Sequence, residues 1–392
     1  MNILFINVAS KVFHGDDGCL YLNPHITNNG FRQYLAFCDK LTMLIRDCGN
    51  ITSEDAQTLE KFDPSIGNLI PYPNIYSMKG FLNISKHLKL DHLIEEEVKK
   101  ADKVICGSQA TSVICTTIKY CKKYHKPYMI FCLGMIFEGQ WYHSLKGKLV
   151  AYPREHQCKK LFRDAPYAIY VTKEACQKRY PCGGKTLGCS DVEIEPSSPQ
   201  ILENRLDKIR ALKNRKIVFG TGAYLDVKWK GHHLMLKAIA NLKSKGYDVE
   251  YQMVGLGTGK NIMSLAKKLN IEDNIKILGG RKHAEMFDWY DQIDVYVQPS
   301  YQEGLCRSIV EAMSRACPVV CSDAGGNYEL VESQYIFPVG NFLALTERLE
   351  HVIEENAFEK MAKRNFEKAK DFDSKVLNKS RWDFIKEFIN DE

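Results

Sequence analysis

Residues 294–329 read Asp-Val-Tyr-Val-Gln-Pro-Ser-Tyr-Gln-Glu-Gly-Leu-Cys-Arg-Ser-Ile-Val-Glu-Ala-Met-Ser-Arg-Ala-Cys-Pro-Val-Val-Cys-Ser-Asp-Ala-Gly-Gly-Asn-Tyr-Glu. An apolar strand ending at Gln298-Pro299-Ser300 gives way to a loop with Glu303 and Gly304, and a helix is expected from Leu305 or Cys306. The first backbone N–H groups of a helix lack intrahelical partners and carry the positive end of its dipole, so they attract anions. Gly304, without a side chain, would let a phosphate approach the backbone closely. Glu303 and Glu311 stand eight residues apart, at most ~12 Å of helical rise. Carboxylates accept from hydroxyls and repel phosphate. The pair therefore suits a ligand with hydroxyls at both ends and a diphosphate between them.

A second group lies at 220–231, Gly-Thr-Gly-Ala-Tyr-Leu-Asp-Val-Lys-Trp-Lys-Gly, where Gly222 follows a strand and Lys228 and Lys230 offer cations. Together the two segments resemble the family 4 retaining glycosyltransferases of the GT-B fold. That family carries Pro-Ser, Glu-Gly, a second Glu within Glu-Ala-Met, Pro-Val-Val and Gly-Gly-x-x-Glu at this spacing, and Lys-Gly after the earlier strand. The resemblance implies that Glu311 binds ribose hydroxyls, that Glu303 contacts the donor sugar, and that the backbone of Gly304, Leu305 and Cys306 meets the phosphates. Gly325, Gly326 and Glu329 are similar to a lower lip of the site, or else form a structural turn. Arg281 and Lys282 match a stretch near the base and phosphates. Gly255-Leu-Gly-Thr-Gly259 resembles the family's Val-Gly-x-Gly turn and lacks the G-x-G-x-x-G spacing of a dinucleotide fingerprint.

Three departures stand out. The family has Gly-Arg after the first strand of this half, and here Thr221 or Ala223 takes the arginine's place. Lys228 is either the replacement cation or an exposed loop lysine. If it is the replacement, Lys228→Ala lowers turnover and Lys122→Ala does not. Ala316 stands where a glycine would end the helix in the left-handed region, a cost of ~1 kcal/mol. Phe13–Gly18 replaces the glycine-rich loop after the first strand. In the first half, 134–148 and 170–181 resemble bacterial glycosyltransferases of capsule and O-antigen assembly. Glu138 and His143 are candidates there for acceptor positioning or proton transfer.

The elements that must carry these residues alternate between strands and amphipathic helices. Strands are expected at 2–8, 41–46, 103–106, 128–133, 167–171, 216–219, 249–254, 275–278, 294–297 and 318–321, and helices include 109–124, 232–244 and 358–390. This alternation predicts an α/β fold with parallel sheets. It divides into a Rossmann-like acceptor domain (1–195), a polar, proline-bearing linker (196–214), a Rossmann-like nucleotide-sugar domain (215–370) and a helix (371–392) returning to the first domain. The two doubly wound domains would face each other across a cleft, with ligands at the C-terminal ends of the strands. Asp371-Phe-Asp373 resembles a metal-binding Asp-x-Asp but falls in the helical tail, so no metal requirement is expected.

Composition narrows the class. Hydrophobic residues at 45% and charged residues at 26% describe a globular chain. No apolar run reaches the ~18 residues of a membrane span. Met1–Val8 reads as a strand and not as a signal peptide. Fourteen cysteines without a C-x-x-C pair read as reduced, structural thiols in a cytoplasmic protein. Net charge is +6, but residues 119–185 hold fourteen Lys/Arg against four Asp/Glu. That stretch is either a set of solvated helix faces or a surface for anionic lipid at the inner face of the membrane, or for a phosphate-bearing acceptor. Nucleic acid is not an expected partner, because basic and aromatic residues are not interleaved.

The resemblance implies retaining transfer of a hexose-type sugar from a UDP- or GDP-linked donor to a saccharide acceptor, lipid-linked or free, in surface polysaccharide assembly. A nucleotide-sugar 2-epimerase on the same fold and a non-catalytic nucleotide-sugar binder are the alternatives.

Overall fold

A computed structural model describes residues 1–391 apart from 24–26, 58, 77–79, 81, 110 and 213–214. Fifteen strands are assigned among the described residues: β1 (Asn2–Gly15), β2 (Leu20–Leu22), β3 (Lys40–Ile51), β4 (Glu60–Lys61), β5 (Asn68–Tyr72), β6 (Lys103–Cys106), β7 (Tyr128–Cys132), β8 (Tyr167–Tyr170), β9 (Lys185–Gly188), β10 (Ile217–Gly222), β11 (Val249–Val254), β12 (Ile275–Ile277), β13 (Val295–Gln298), β14 (Val319–Ser322) and β15 (Ile336–Phe337). Seven run parallel in the first sheet, ordered β5–β3–β1–β6–β7–β8–β9, and short β2 pairs antiparallel with residues 12–14 near the end of β1 and with β4 on its other side. The second sheet is parallel throughout, ordered β12–β11–β10–β13–β14–β15. Parallel strands need crossover helices, which cover both faces, so strands such as β6, β8 and β13 are buried at every residue.

In each sheet the order reverses beside its first strand, β1 or β10. These switch points sit at the C-terminal strand ends where α/β folds bind ligands.

The connection at 196–214 is more structured than a linker. Pro199 opens a helix, Pro199–Arg210, capped by Ser198. Its buried Arg205 donates to the carbonyls of Tyr290 and Ile293, both at 2.7 Å, and of Arg315 at 3.2 Å. Those carbonyls end two helices of the second sheet's layer, so the guanidinium satisfies groups that would otherwise be orphaned.

The helical tail also breaks in two, Phe358–Ala369 and Ser374–Asn390. Asp373 caps the second helix through the Lys375 N–H, and Asp371 pairs with Lys368 at 2.8 Å, so the Asp-x-Asp shapes a corner. Past that corner Ser374–Asn390 lies on the first sheet's domain. Trp382 stacks on Phe37 and meets Tyr34 edge-on, Phe384 and Phe388 pack on Tyr167, and Lys185 pairs with Glu387 at 2.7 Å.

Ala316 does take the left-handed conformation, with φ +52°. Its buried methyl packs with Leu206, Ala362 and Phe366. Burying a methyl contributes about 0.8 kcal/mol, close to the backbone cost, which explains how alanine stands there.

Candidate active site

The turn after β10 brings the first cation into place. Lys228–Lys230 form one 3₁₀ turn that ends at Gly231 with φ +75°. A β-carbon on Gly231 would lie 1.9 Å from the Pro299 carbonyl oxygen, so glycine is required both by the backbone angle and by the contact. Held this way, Lys230 Nζ donates to Glu303 Oε1 at 2.8 Å. Gln298 Nε2 donates to the same oxygen at 3.1 Å. Burial works against the Lys230 charge, but Glu303 outweighs it and the pKa is raised. The lysine therefore stays charged and aimed at the Glu303 carboxylate.

Glu311 lies on the next helix, Arg307–Ser314, which starts one to two residues later than expected, with Cys306 as N-cap. Glu311 is buried. Its Oε2 accepts from Tyr290 OH at 3.0 Å and its Oε1 meets His283 Nε2 at 3.0 Å. Burial, with Glu311 beside it, holds the Tyr290 phenol well above its ordinary pKa, so it remains a donor. His283 is exposed and opens the helix His283–Gln292, two residues after exposed Arg281.

No side-chain oxygen caps the Arg307–Ser314 helix; the Cys306 sulfur faces the amides of Ser308 and Ile309. Burial, then Glu303, pushes the Cys306 thiol well above its ordinary pKa, so it stays neutral next to those amides. Ser308 Oγ reaches the Gly222 carbonyl at 3.4 Å, which ties the helix start to the end of β10.

The reason for glycine at 304 differs from the expectation. A β-carbon there would sit 2.3 Å from the Leu133 carbonyl oxygen of the first domain. The glycine admits the neighbouring domain's backbone, where a phosphate was expected. Gly134 faces it, and a β-carbon on Gly134 would lie 3.2 Å from Gly304 Cα. Leu305 packs against the cores of both domains. On the other side Gly326 N–H donates to the Gly304 carbonyl at 2.7 Å, and Gly325 takes φ +57° against the Glu303 carbonyl. Gly325 and Gly326 therefore support the Glu303–Gly304 loop from below. Glu329 reaches further, accepting from the N–H groups of Lys173, Glu174 and Ala175 at 2.7, 3.1 and 2.7 Å.

Two expected residues of the first domain do meet this boundary. Glu138, on the helix Ile136–Trp141, lines an open cavity of about 330 Å³ with Met135, Arg179, Gly325 and Tyr328. Its Oε1 lies 3.8 Å from Arg179 Nη2, and its Oε2 is buried with no hydrogen-bond partner. His143 stacks on Trp229 at 5.3 Å, between the two lysines of the 3₁₀ turn. Lys228 is not brought to the Lys230–Glu303 pair. It lines a separate cavity of about 300 Å³ with Asp226, His233 and Asn261. Nor does another cation replace the missing arginine at its own position. Thr221 is buried and donates to the Val297 carbonyl at 2.7 Å, and Ala223 has no polar side chain.

The family model for glycosyl transferases group 1 matches residues 204–371. Protein CapJ of Staphylococcus aureus is 32% identical over 370 residues, covering 92% of this chain and 90% of that protein. The chain belongs to the glycosyl transferase group 1 family. A Campylobacter jejuni N-acetylgalactosamine-N,N'-diacetylbacillosaminyl-diphospho-undecaprenol 4-alpha-N-acetylgalactosaminyltransferase is 28% identical over 195 residues, 46% of this chain and 51% of that one. Among solved structures, Anabaena Alr3699/HepE in complex with UDP-glucose superposes with TM-score 0.64 at 19% identity, covering 99% of this chain and 100% of that one. The fold is GT-B.

In this glycosyltransferase, Gln298, Tyr290 and His283 hold the two glutamates, and sequence reasoning passed over all three. Gln298 was visible as a polar residue closing an apolar strand, two residues before the loop. Tyr290 and His283 had no such signal, because only the packing of the His283–Gln292 helix brings them to Glu311. The aromatic pairs at the domain boundary, His143 with Trp229 and Tyr142 with Tyr301 at 5.0 Å, were likewise invisible.

Proposed function

We propose that this enzyme transfers a hexose-type sugar, with retention of configuration, from a UDP- or GDP-linked donor to a lipid-linked saccharide in surface polysaccharide assembly. The observation that carries the reading is the Lys230–Glu303 ion pair beside an uncapped helix start, with buried Glu311 further along the same helix. A diphosphate takes the Lys230 ammonium and the amides that open the Arg307–Ser314 helix, which the neutral Cys306 thiol faces. Glu303, released from part of its pairing, accepts from the sugar hydroxyls, and Glu311 accepts from the ribose.

As the donor bond breaks, negative charge grows on the leaving diphosphate. Lys230 and the helix dipole lie where that charge develops, a preorganised arrangement that needs no metal. The leaving phosphate oxygen takes the acceptor proton on the same face of the sugar. Glu138 lines the acceptor side of the boundary and orients the incoming hydroxyl. The UDP-glucose complex of the Anabaena protein supports a nucleotide-sugar donor, and the diphospho-undecaprenol named for the Campylobacter enzyme supports a lipid-linked acceptor.

Incubation of the protein with UDP- and GDP-sugars and lipid-linked saccharides tests this reading. The expected outcome is an extended saccharide with an unchanged anomeric centre by NMR. An inverted linkage would remove the retaining mechanism. Release of an epimerised nucleotide-sugar without acceptor would replace transfer altogether.

A further inference from the structure

The basic stretch 119–185 divides once its partners are visible. Lys119 and Lys123 face Asp91 and Glu95, Lys122 faces Asp164, and Lys185 faces Glu387. Those charges are spent within the fold. Lys146, Lys148 and Lys160 have no carboxylate within 4.0 Å among the described residues, and all three lie on the helix Leu145–Arg163.

That helix is apolar on two faces. One carries Gly147, Ala151, Cys158 and Phe162 into the core. On another, Leu145, Leu149 and Tyr152 follow at i, i+4 and i+7 and are 82%, 81% and 67% exposed. Single exposed leucines are ordinary, but a stripe interleaved with unpaired lysines is a pattern of interfacial helices. Trp141 widens the patch, with Lys148 over its ring at 5.1 Å. A second patch repeats the design. The helix Ile84–Lys100 opens with Ile84 and Leu88, 75% and 67% exposed, with Lys86 and Lys89 beside them.

The two patches share one rim. Both helices, and Ser112–Lys123 between them, pack on the same face of the first sheet. Each crossover helix runs back along its parallel strands, so each begins at the strands' C-terminal edge, the edge that meets Gly304. With one helix between them, the patches stand ~20 Å apart, at ~10 Å per helix spacing. One flat surface can touch both.

We propose that this rim docks the enzyme on an anionic bilayer. The leucine and isoleucine side chains enter the boundary between headgroups and acyl chains, and Lys86, Lys89, Lys146 and Lys148 meet lipid phosphates. A second copy of the chain is the poorer occupant, because a two-fold contact would set these lysines against each other. Attachment by insertion across the bilayer is not offered by the described residues, none of whose helices is long and apolar enough to cross a membrane. Docked at this edge, the cleft opens toward the leaflet that would hold a lipid-linked acceptor; that last link rests on the proposed function.

Co-sedimentation with vesicles of phosphatidylcholine, with and without phosphatidylglycerol, tests the docking. Neither donor nor acceptor is present, so the result stands apart from the proposed transfer. The full-length protein should bind the anionic vesicles and release as salt rises. Leu145→Ser/Leu149→Ser should weaken binding at least about tenfold, and Lys146→Glu/Lys148→Glu should abolish the preference for phosphatidylglycerol. Transfer to a water-soluble acceptor fragment and the melting temperature should stay unchanged, since these side chains are solvent-exposed. The proposal falls if the full-length protein ignores anionic vesicles, or if the leucine variant binds them equally well. It falls also if the leucine variant merely converts a dimer to a monomer in sedimentation velocity. Loss of transfer with docking intact would instead count against the proposed function.

Discussion

On the second sheet's side of the cleft, Lys230, Glu303 and Glu311 are each held by another side chain. Lys230 and Gln298 hold Glu303, and Tyr290 and His283 hold Glu311. Across the boundary, Glu138 has one oxygen 3.8 Å from Arg179 and the other buried without a hydrogen bond. The difference teaches where each half's work is fixed. A diphosphate and a ribose are the same for many donors, so rigid, pre-paired side chains can serve them. On the proposed reading a saccharide acceptor, which varies in shape, meets the first domain, the side that keeps unsatisfied groups and exposed apolar surface.

The largest effect should come from breaking the paired side. Lys230→Ala removes the charge proposed to stabilise the leaving group and should lower turnover about 10²–10³-fold, some 3–4 kcal/mol in the barrier. Glu138→Gln should cost less than about tenfold, below the ~10²-fold that one proton-transferring group typically contributes, because its proposed role is to orient the hydroxyl. Steady-state kinetics on both variants checks the order, and a larger loss for Glu138→Gln would invert the comparison.

Acid should distinguish the halves next. His232, behind the Lys230 turn, is buried against Tyr251 OH at 2.9 Å, and burial lowers its pKa from 6.5 to about 4. Between those values the unfolded chain binds the extra proton and the folded one does not. Stability is therefore complete above pH 6.5 and falls as pH drops toward 4, by about 3 kcal/mol in total. Urea titrations at stepped pH should show this slope, and His232→Asn should flatten it.

Glu329 sharpens the contrast at the boundary itself, since it is a second-domain carboxylate that satisfies three first-domain amides. Glu329→Ala should cost about 1–2 kcal/mol, in the range of a lost helix cap. Hydrogen exchange at Lys173, Glu174 and Ala175 should accelerate, while exchange around Glu311 should not. The smallest effect is expected from Lys228→Ala. The lysine lines a different cavity, so turnover should change less than about twofold and stability by under about 0.5 kcal/mol.

Much of the second half was legible because its signals are local. The strands at 103–106 and 249–254 and the helix at 232–244 fall where apolar spacing places them. Glu303, Gly304 and Glu311 follow one another along a single loop and helix, so sequence distance stood in for spatial distance. Long-range features were not legible. The spacing predicts a strand at 2–8, but β1 runs on to Gly15 past a register shift after Asn7, where it pairs with β2 and the far end of β3. The helix Pro199–Arg210 reads as a polar linker because Arg205, its anchor, looks like a surface charge until three carbonyls surround it. Gly304 reads as phosphate space because the Leu133 carbonyl that fills it is contributed by the other domain.

The helix Ser374–Asn390 has a consequence for how the chain is made. It covers Tyr34, Phe37 and Tyr167, which are synthesised far earlier. While the second domain is still emerging from the ribosome, those rings lack the cover of Trp382, Phe384 and Phe388. The first domain must wait, partly uncovered, for a segment made nearly two hundred residues after its last strand, a delay during which chaperones have a site to hold and aggregation has a surface to start from.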